Sequence, residues 1–195
     1  MKKIITIALS LFLIIAFISC SSTAPVTDSG ADRVAPASFP EPIRQAILNA
    51  PEDVLVGVGI ARLASLSQSR TISMNRARAE ISRQMNSMVE DMIRDYQASS
   101  EVDPAAALSF QENITVTLSR ADVSGARMVD MYIAQDETVW TVVYMDRATV
   151  AREITQAQAA ARLAVPALAS FDAEARMQDA FARYNSETPQ ARSFD

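Results

Sequence analysis

The 195-residue sequence predicts an α+β fold: a small antiparallel sheet of about three strands packed against one long helix and further helices, behind a disordered N-terminal tether. Three observations predict it. DVLVGVGIARL is a continuous apolar run with two glycines and reads as a buried strand near Val54–Ala61. Residues 68–97 carry one apolar stripe at helical spacing. Two alternating runs, ARMVDMYIA and TVWTVVYMD, are separated only by Gln135, Asp136 and Glu137, which makes an antiparallel hairpin the natural reading.

The chain begins MKKIITIALSLFLIIAFISC, and its single cysteine ends that stretch. Lys2 and Lys3 give a basic start. Residues 4–17 are apolar except for Thr6 and Ser10, and the small Ser19 precedes Cys20. This order is that of a secretory signal. A permanent span needs about 20 apolar residues, so a run of fourteen suits a segment that is cleaved. Residues 1–19 are therefore expected to be a signal peptide. The tetrapeptide Phe17-Ile18-Ser19-Cys20 resembles the lipobox of bacterial lipoproteins, with Phe17 where Leu is usual. The resemblance implies that the Cys20 sulfur receives a diacylglycerol, that cleavage falls before it, and that palmitate-type acyl chains anchor the protein. One chain binds marginally at about 0.8 kcal/mol per buried methylene, so two or three are needed for a stable anchor. Ser21 is not Asp, which in the best-known sorting systems implies the outer membrane. A lipidated sulfur leaves no disulfide.

Removing the two lysines with the signal leaves 16 arginines against 23 acids, a net of −7. Such a chain is repelled by phosphate backbones unless it segregates a basic face. The local cluster Arg70, Arg76, Arg78 and Arg83 has Glu80 within it and no aromatic to stack on a base, so it reads as a solvated helix face. No nucleic-acid partner is expected.

Residues 20–40 form the lipidated cysteine and a flexible tether: SSTAPVTDSGADRVAPASFP is too poor in apolar residues to order itself and spans roughly 25 Å as a coil. The domain proper is expected over residues 41–164. Pro42 can begin a short helix carrying Ile43, Ala46, Ile47 and Ala50, closed by Pro51. Gly57-Val58-Gly59 lacks a third glycine and any Gly-Lys-Ser/Thr, so neither phosphate-cradling fingerprint is complete, and glycines within a strand mark a bulge or close backbone approach. On the long helix, Met74, Ala77, Ile81, Met85, Met88, Met92 and Tyr96 make the stripe, and Arg76 to Glu80 and Glu90 to Arg94 have the spacing of stabilising pairs. Thioethers at Met85, Met88 and Met92 could bind Cu(I), but filling an uneven core is the commoner use.

Residues 105–121 are ambiguous. Leu108, Ile114, Leu118 and Ala121 favour a helix, while Ile114, Val116 and Leu118 alternate as in a strand; the Ala-rich start after Pro104 favours the helix. In the hairpin, Val129, Met131 and Ile133 alternate, as do Trp140, Val142 and Tyr144. Asp146 can cap a helix carrying Val150, Ile154, Ala157 and Ala161. Pro166 interrupts it. Residues 165–195 are read as a C-terminal helical arm, with Leu168, Phe171, Met177, Phe181 and Tyr184, and a polar tail. The arm is expected to dock on another molecule, with the core ending before it.

Three ordered blocks, VGVGIA, SMNRARAEISRQMNSMVEDMI and LSRADVSGARMVDMYIAQDETVWTVVYMDRATV, resemble the bacterial twenty-kilodalton lipoprotein family, near which flagellar basal-disk outer-membrane lipoproteins belong. The likeness covers about residues 52–155. It implies a membrane-attached, non-enzymatic envelope protein and carries over no catalytic residue.

The search for chemistry runs the same way. With no histidine, His-based triads and the commonest metal ligand are absent. The carboxylates Glu80, Glu90, Asp91, Asp95, Asp130, Asp136 and Glu137 form no calcium loop. No catalytic, cofactor or metal site is expected, and no enzyme. Two function classes stay open: a structural or interaction lipoprotein of the cell envelope that assembles with itself or a protein partner, and a ligand-binding lipoprotein with a pocket between sheet and helices.

Overall fold

The computed structural model describes residues 33–120, 123 and 125–187, without the side chains of residues 120 and 184–187. The expected signal peptide, Cys20, most of the tether, Ala121, the side chain of Tyr184 and the polar tail lie outside the described residues. The elements run α1 (Glu41–Leu48), β1 (Val54–Ala61), α2 (Leu66–Ser99), α3 (Pro104–Arg120), β2 (Arg127–Ile133), β3 (Val139–Asp146), α4 (Arg147–Ala164), a 3-10 turn (Pro166–Leu168) and α5 (Ala173–Glu187). The α+β class holds, and 104–120 is helical throughout.

The three strands are antiparallel in the order β1-β3-β2. β3 is central and buried on both faces, so its two sides carry different partners. Val143 and Met145 join the main core with α2, α3, α4 and α5; Trp140, Val142 and Tyr144 face a smaller core under α1. α2, about 51 Å long at 1.5 Å per residue, lies along β1 and β3. Its approach is set by Gly57 and Gly59. A Cβ on Gly59 would overlap the Ser73 carbonyl oxygen and sit 2.5 Å from the Ala77 nitrogen; one on Gly57 would meet the Ala77 carbonyl and the Ile81 side chain. The strand glycines thus serve close backbone approach. Ser73 and Thr141, both buried, share a 2.8 Å hydroxyl hydrogen bond between helix and sheet.

Three expectations are corrected. Composition predicts a tether through residue 40, but the chain is packed from Arg33: its Nη2 donates to the carbonyls of Pro51 (2.7 Å) and Val54 (2.8 Å). Phe39 is buried with its ring edge-on to Trp140 at 5.0 Å. One aromatic anchor and one arginine outweigh the polar composition around them. Second, the segment past Pro166 does not leave the domain. Pro166 starts a 3-10 turn that reverses the chain, and Leu168, Phe171, Met177 and Phe181 are buried in the main core. Phe171 packs edge-on against Tyr96 (5.4 Å) and Phe110 (5.6 Å). The buried Gln158 clasps the turn: its Nε2 donates to the Phe171 carbonyl at 2.5 Å and its Oε1 accepts the Ala173 N–H at 3.0 Å. Asp95 then pairs with Arg183 at 2.5 Å, and Arg176 lies over the Tyr96 ring. Third, Val129, Met131 and Ile133 do not share a face. The ladder shifts between Met128 and Asp130, a bulge that turns Val129 toward the α1 core, while Met131 and Ile133 stand opposite Thr141 and Val139 on the α2 side.

Two outcomes follow from this packing. Gly59→Ala, by forcing helix from strand, should lower the unfolding free energy by about 3 kcal/mol in a urea titration followed by circular dichroism. Cutting the chain after Val165 removes four large core side chains worth about 1.5–3 kcal/mol each, with Ala173 and Ala180 beside them, a loss comparable with the ~5–15 kcal/mol of a whole domain. The truncated protein should show no cooperative melt; a sharp melt near that of the full chain would place α5 outside the core.

Candidate functional site

Cys20, the one site residue the sequence nominates, lies outside the described residues. The remaining candidates are placed by α2 and the hairpin. Met85, Met88 and Met92 are buried in the main core among Ile93, Phe110 and Ile154, so their thioethers fill space there. The carboxylates are dispersed, five of the seven in ion pairs. Glu80 pairs with Arg83, Arg94 bridges Glu90 (2.8 Å) and Asp91 (2.9 Å), and Asp130 Oδ1 accepts the Met131 N–H at 2.7 Å. At the hairpin turn Glu137 takes φ 67°, and Asp136 accepts the N–H (3.1 Å) and hydroxyl (2.9 Å) of Thr138. Those Thr138 hydrogen bonds, with Arg62 at 3.3 Å, hold the Asp136 carboxyl below its usual range. Asp146, the N-cap of α4, is lowered as well, first by the Thr149 N–H at 2.8 Å. Both are kept ionised, the reverse of a proton donor poised near neutrality. Among the described residues no three acidic or cysteine side chains converge to hold a metal ion.

The arginine cluster divides between two flanks of α2. Ser73, Ala77 and Ile81 face the sheet. Arg76, Glu80 and Gln84, spaced by four, lie to one side, where Arg76 donates to the Ile60 carbonyl (2.5 Å) and Gln84 to that of Val56 (2.8 Å) over the outer edge of β1. Helical spacing puts Arg70, Met74 and Arg78 on the opposite flank, toward β3 and β2. There the sheet runs on past its helix. β2 sits two strand spacings, about 9.6 Å, from β1, and α1 covers only its other face. Register places Met128 beside Val143 and Ile133 beside Val139 on the α2 side, and they are 51% and 37% exposed. Register and helical spacing together place Met128, Met131 and Ile133 as the floor of a ledge and the flank of Arg70, Met74 and Arg78 as its back wall.

Sequence reading missed the ledge because its residues look like ordinary strand and stripe positions. The only available signal was the pair of methionines on a short strand whose neighbour, Asp130, is charged. It also missed the clamp of Arg33 and Phe39 for want of periodicity.

The cap at Asp146 yields a pH test. Its folded pKa is depressed, so its contribution is present above the unfolded carboxyl pKa of about 3.9 and is lost as pH falls through the folded value. Asp146→Ala should destabilise by about 1 kcal/mol near pH 7, and the gap in urea midpoint from the native chain should shrink below about pH 4. A gap unchanged down to pH 2 would deny the carboxylate its part.

Among the described residues no helix is long and apolar enough to cross a membrane. Compared with known proteins, the chain matches no family model, no curated protein and no solved structure.

Proposed function

We propose that this protein is a lipid-anchored lipoprotein of the cell envelope, held at the outer membrane through acyl chains on Cys20, whose folded domain acts by contact with other proteins and not by catalysis. The carrying observation is the apolar run of residues 4–17 that stops at the only thiol in the chain. The order of segments there is that of a cleaved secretory signal, its last four residues resemble a lipobox, and the three blocks that resemble the twenty-kilodalton lipoproteins point the same way. Since the domain is packed from Arg33, the stretch that can act as a tether is residues 21–32, shorter than the twenty residues read from composition.

Support for a contact role comes from where polar groups go. Many of the described acids are spent on ion pairs and caps, while Met128 and Ile133 on the helix side of β2 stay exposed beside the half-buried Met131. A contiguous exposed apolar patch edged by polar residues marks an interaction site.

The test is Cys20→Ser. The variant should accumulate at the unprocessed size or appear in the soluble fraction, and it should take up no labelled palmitate, whereas the native chain fractionates with membranes and is labelled. Native protein without label, or a variant that stays membrane-bound at the mature size, sinks the reading.

A further inference from the structure

We infer that the ledge formed by β2 and the free flank of α2 binds an acidic, amphipathic segment of a protein partner. The inference rests on the contact role proposed above and is independent of the anchor.

The floor is apolar and adaptable. Methionine side chains, unbranched and polarizable, accept differently shaped apolar anchors, which is why they recur on surfaces that bind varied peptides. Two of the three floor residues are methionines, and Met74 continues the surface onto the wall. Those methionines differ from Met85, Met88 and Met92 in being only partly covered.

The wall supplies charge. Among the described residues neither the Arg70 nor the Arg78 guanidinium has a hydrogen bond or ion pair, in a chain whose acids outnumber its bases 23 to 18. Arg62, Arg83, Arg94 and Arg183 have each found a carboxylate. The Nε of Arg78 is itself buried without a partner, as are those of Arg44 and Arg162, so the terminal nitrogens of its guanidinium are the ones left to meet a carboxylate. The complement of this surface is therefore apolar side chains to set on β2 and carboxylates to meet the arginines. Arg70 and Arg78 are two helical turns apart, about 12 Å, so two carboxylates some four residues apart on an extended chain reach both.

Strand addition is not the mode. The bulge at Val129 bends β2, and Asp130 already holds the Met131 N–H, devices that blunt a sheet edge. The segment lies across the face, at a site open on the β2 side. A lipid headgroup would answer one arginine at a time and leave the apolar floor bare.

The experiment uses protein purified from cells expressing the full chain and held in phosphatidylcholine nanodiscs. The probe is a fluorescein-labelled ten-residue peptide of alternating Glu and Val, followed by anisotropy. Binding is expected in the micromolar range. Arg70→Glu with Arg78→Glu should weaken it by at least about tenfold, as should Met128→Ser with Met131→Ser, with melting temperatures near native; Arg70→Gln with Arg78→Gln serves if the charge reversal fails to fold. The same peptide with Lys for Glu should not bind. The proposal is overturned if the Glu peptide fails to bind, if neither pair of substitutions weakens it, or if the Lys peptide binds as well. It is also overturned if arginine-dependent binding appears only with phosphatidylglycerol vesicles, which would make the site a membrane contact, or if sedimentation shows the ledge closed by a second copy of the chain. Membrane fractionation of the same preparation reports on the anchor separately, so loss of one reading leaves the other standing.

Discussion

The close approach of α2 to β1 over Gly57 and Gly59 is the constraint on which the rest of the structure depends. With no Cβ on the strand, the helix backbone at Ser73 and Ala77 rests on the sheet itself, which fixes the rotation of the helix about its axis. One flank is thereby placed over the outer edge of β1, where Arg76 and Gln84 take up two carbonyls that no strand pairs. Arg33 takes a third, from the segment that enters the domain. The same rotation turns Arg70, Met74 and Arg78 away from β1 and toward the far side of the sheet. A helix held farther off by side chains could rotate; this one cannot without breaking the contacts of Ser73.

A three-stranded sheet has two edges and two faces, and the chain treats them unequally. The β1 edge is closed by side chains, and the β2 edge is blunted by a bulge and a carboxylate. The α1 face is covered by the entry segment, α1 and the Phe39–Trp140 pair. The α2 face is covered only as far as one helix and α4 reach, and β2 lies beyond them. The uncovered area is therefore a consequence of one helix serving three strands. What the sequence adds is the choice of methionine and isoleucine there, where polar residues would have made the surface inert.

Much of this fold is legible in the sequence. The stripe from Met74 to Tyr96 and the apolar runs of β1 and β3 leave few other solutions, because burial of one helix face imposes a period and burial of both strand faces a continuous apolar run. What could not be read has physical causes of its own. The bulge at Val129 inserts one residue and inverts the alternation after it, so the Val129, Met131, Ile133 set looks continuous in sequence and is split in space. The entry segment is ordered by two side chains, Arg33 and Phe39, set in a composition typical of coil. The fate of the segment beyond Pro166 turns on whether an amphipathic helix finds its own core or another molecule, which its periodicity does not specify. The deciding residue, Gln158, sits in α4, where a glutamine between alanines gives no sign that it will clasp a turn thirteen residues later.

Charge pairing separates the parts of the surface that are finished from the part that is not. Exposed pairs such as those of Arg94 contribute a few tenths of a kcal/mol each and are screened by salt, so their presence says little about stability. Their distribution says more. Acids are in excess, and seven of those described pair with an arginine while others pair with none, so an arginine without a carboxylate is so by position and not from scarcity of partners. Among the described residues Arg70 and Arg78 have no carboxylate, and their flank of α2 looks toward a strand floor that is apolar: the register which puts Met128, Met131 and Ile133 there sends Asp130 to the opposite face. The bulge that makes the floor apolar is thus the same feature that turns the one carboxylate of β2 away from the arginines above it.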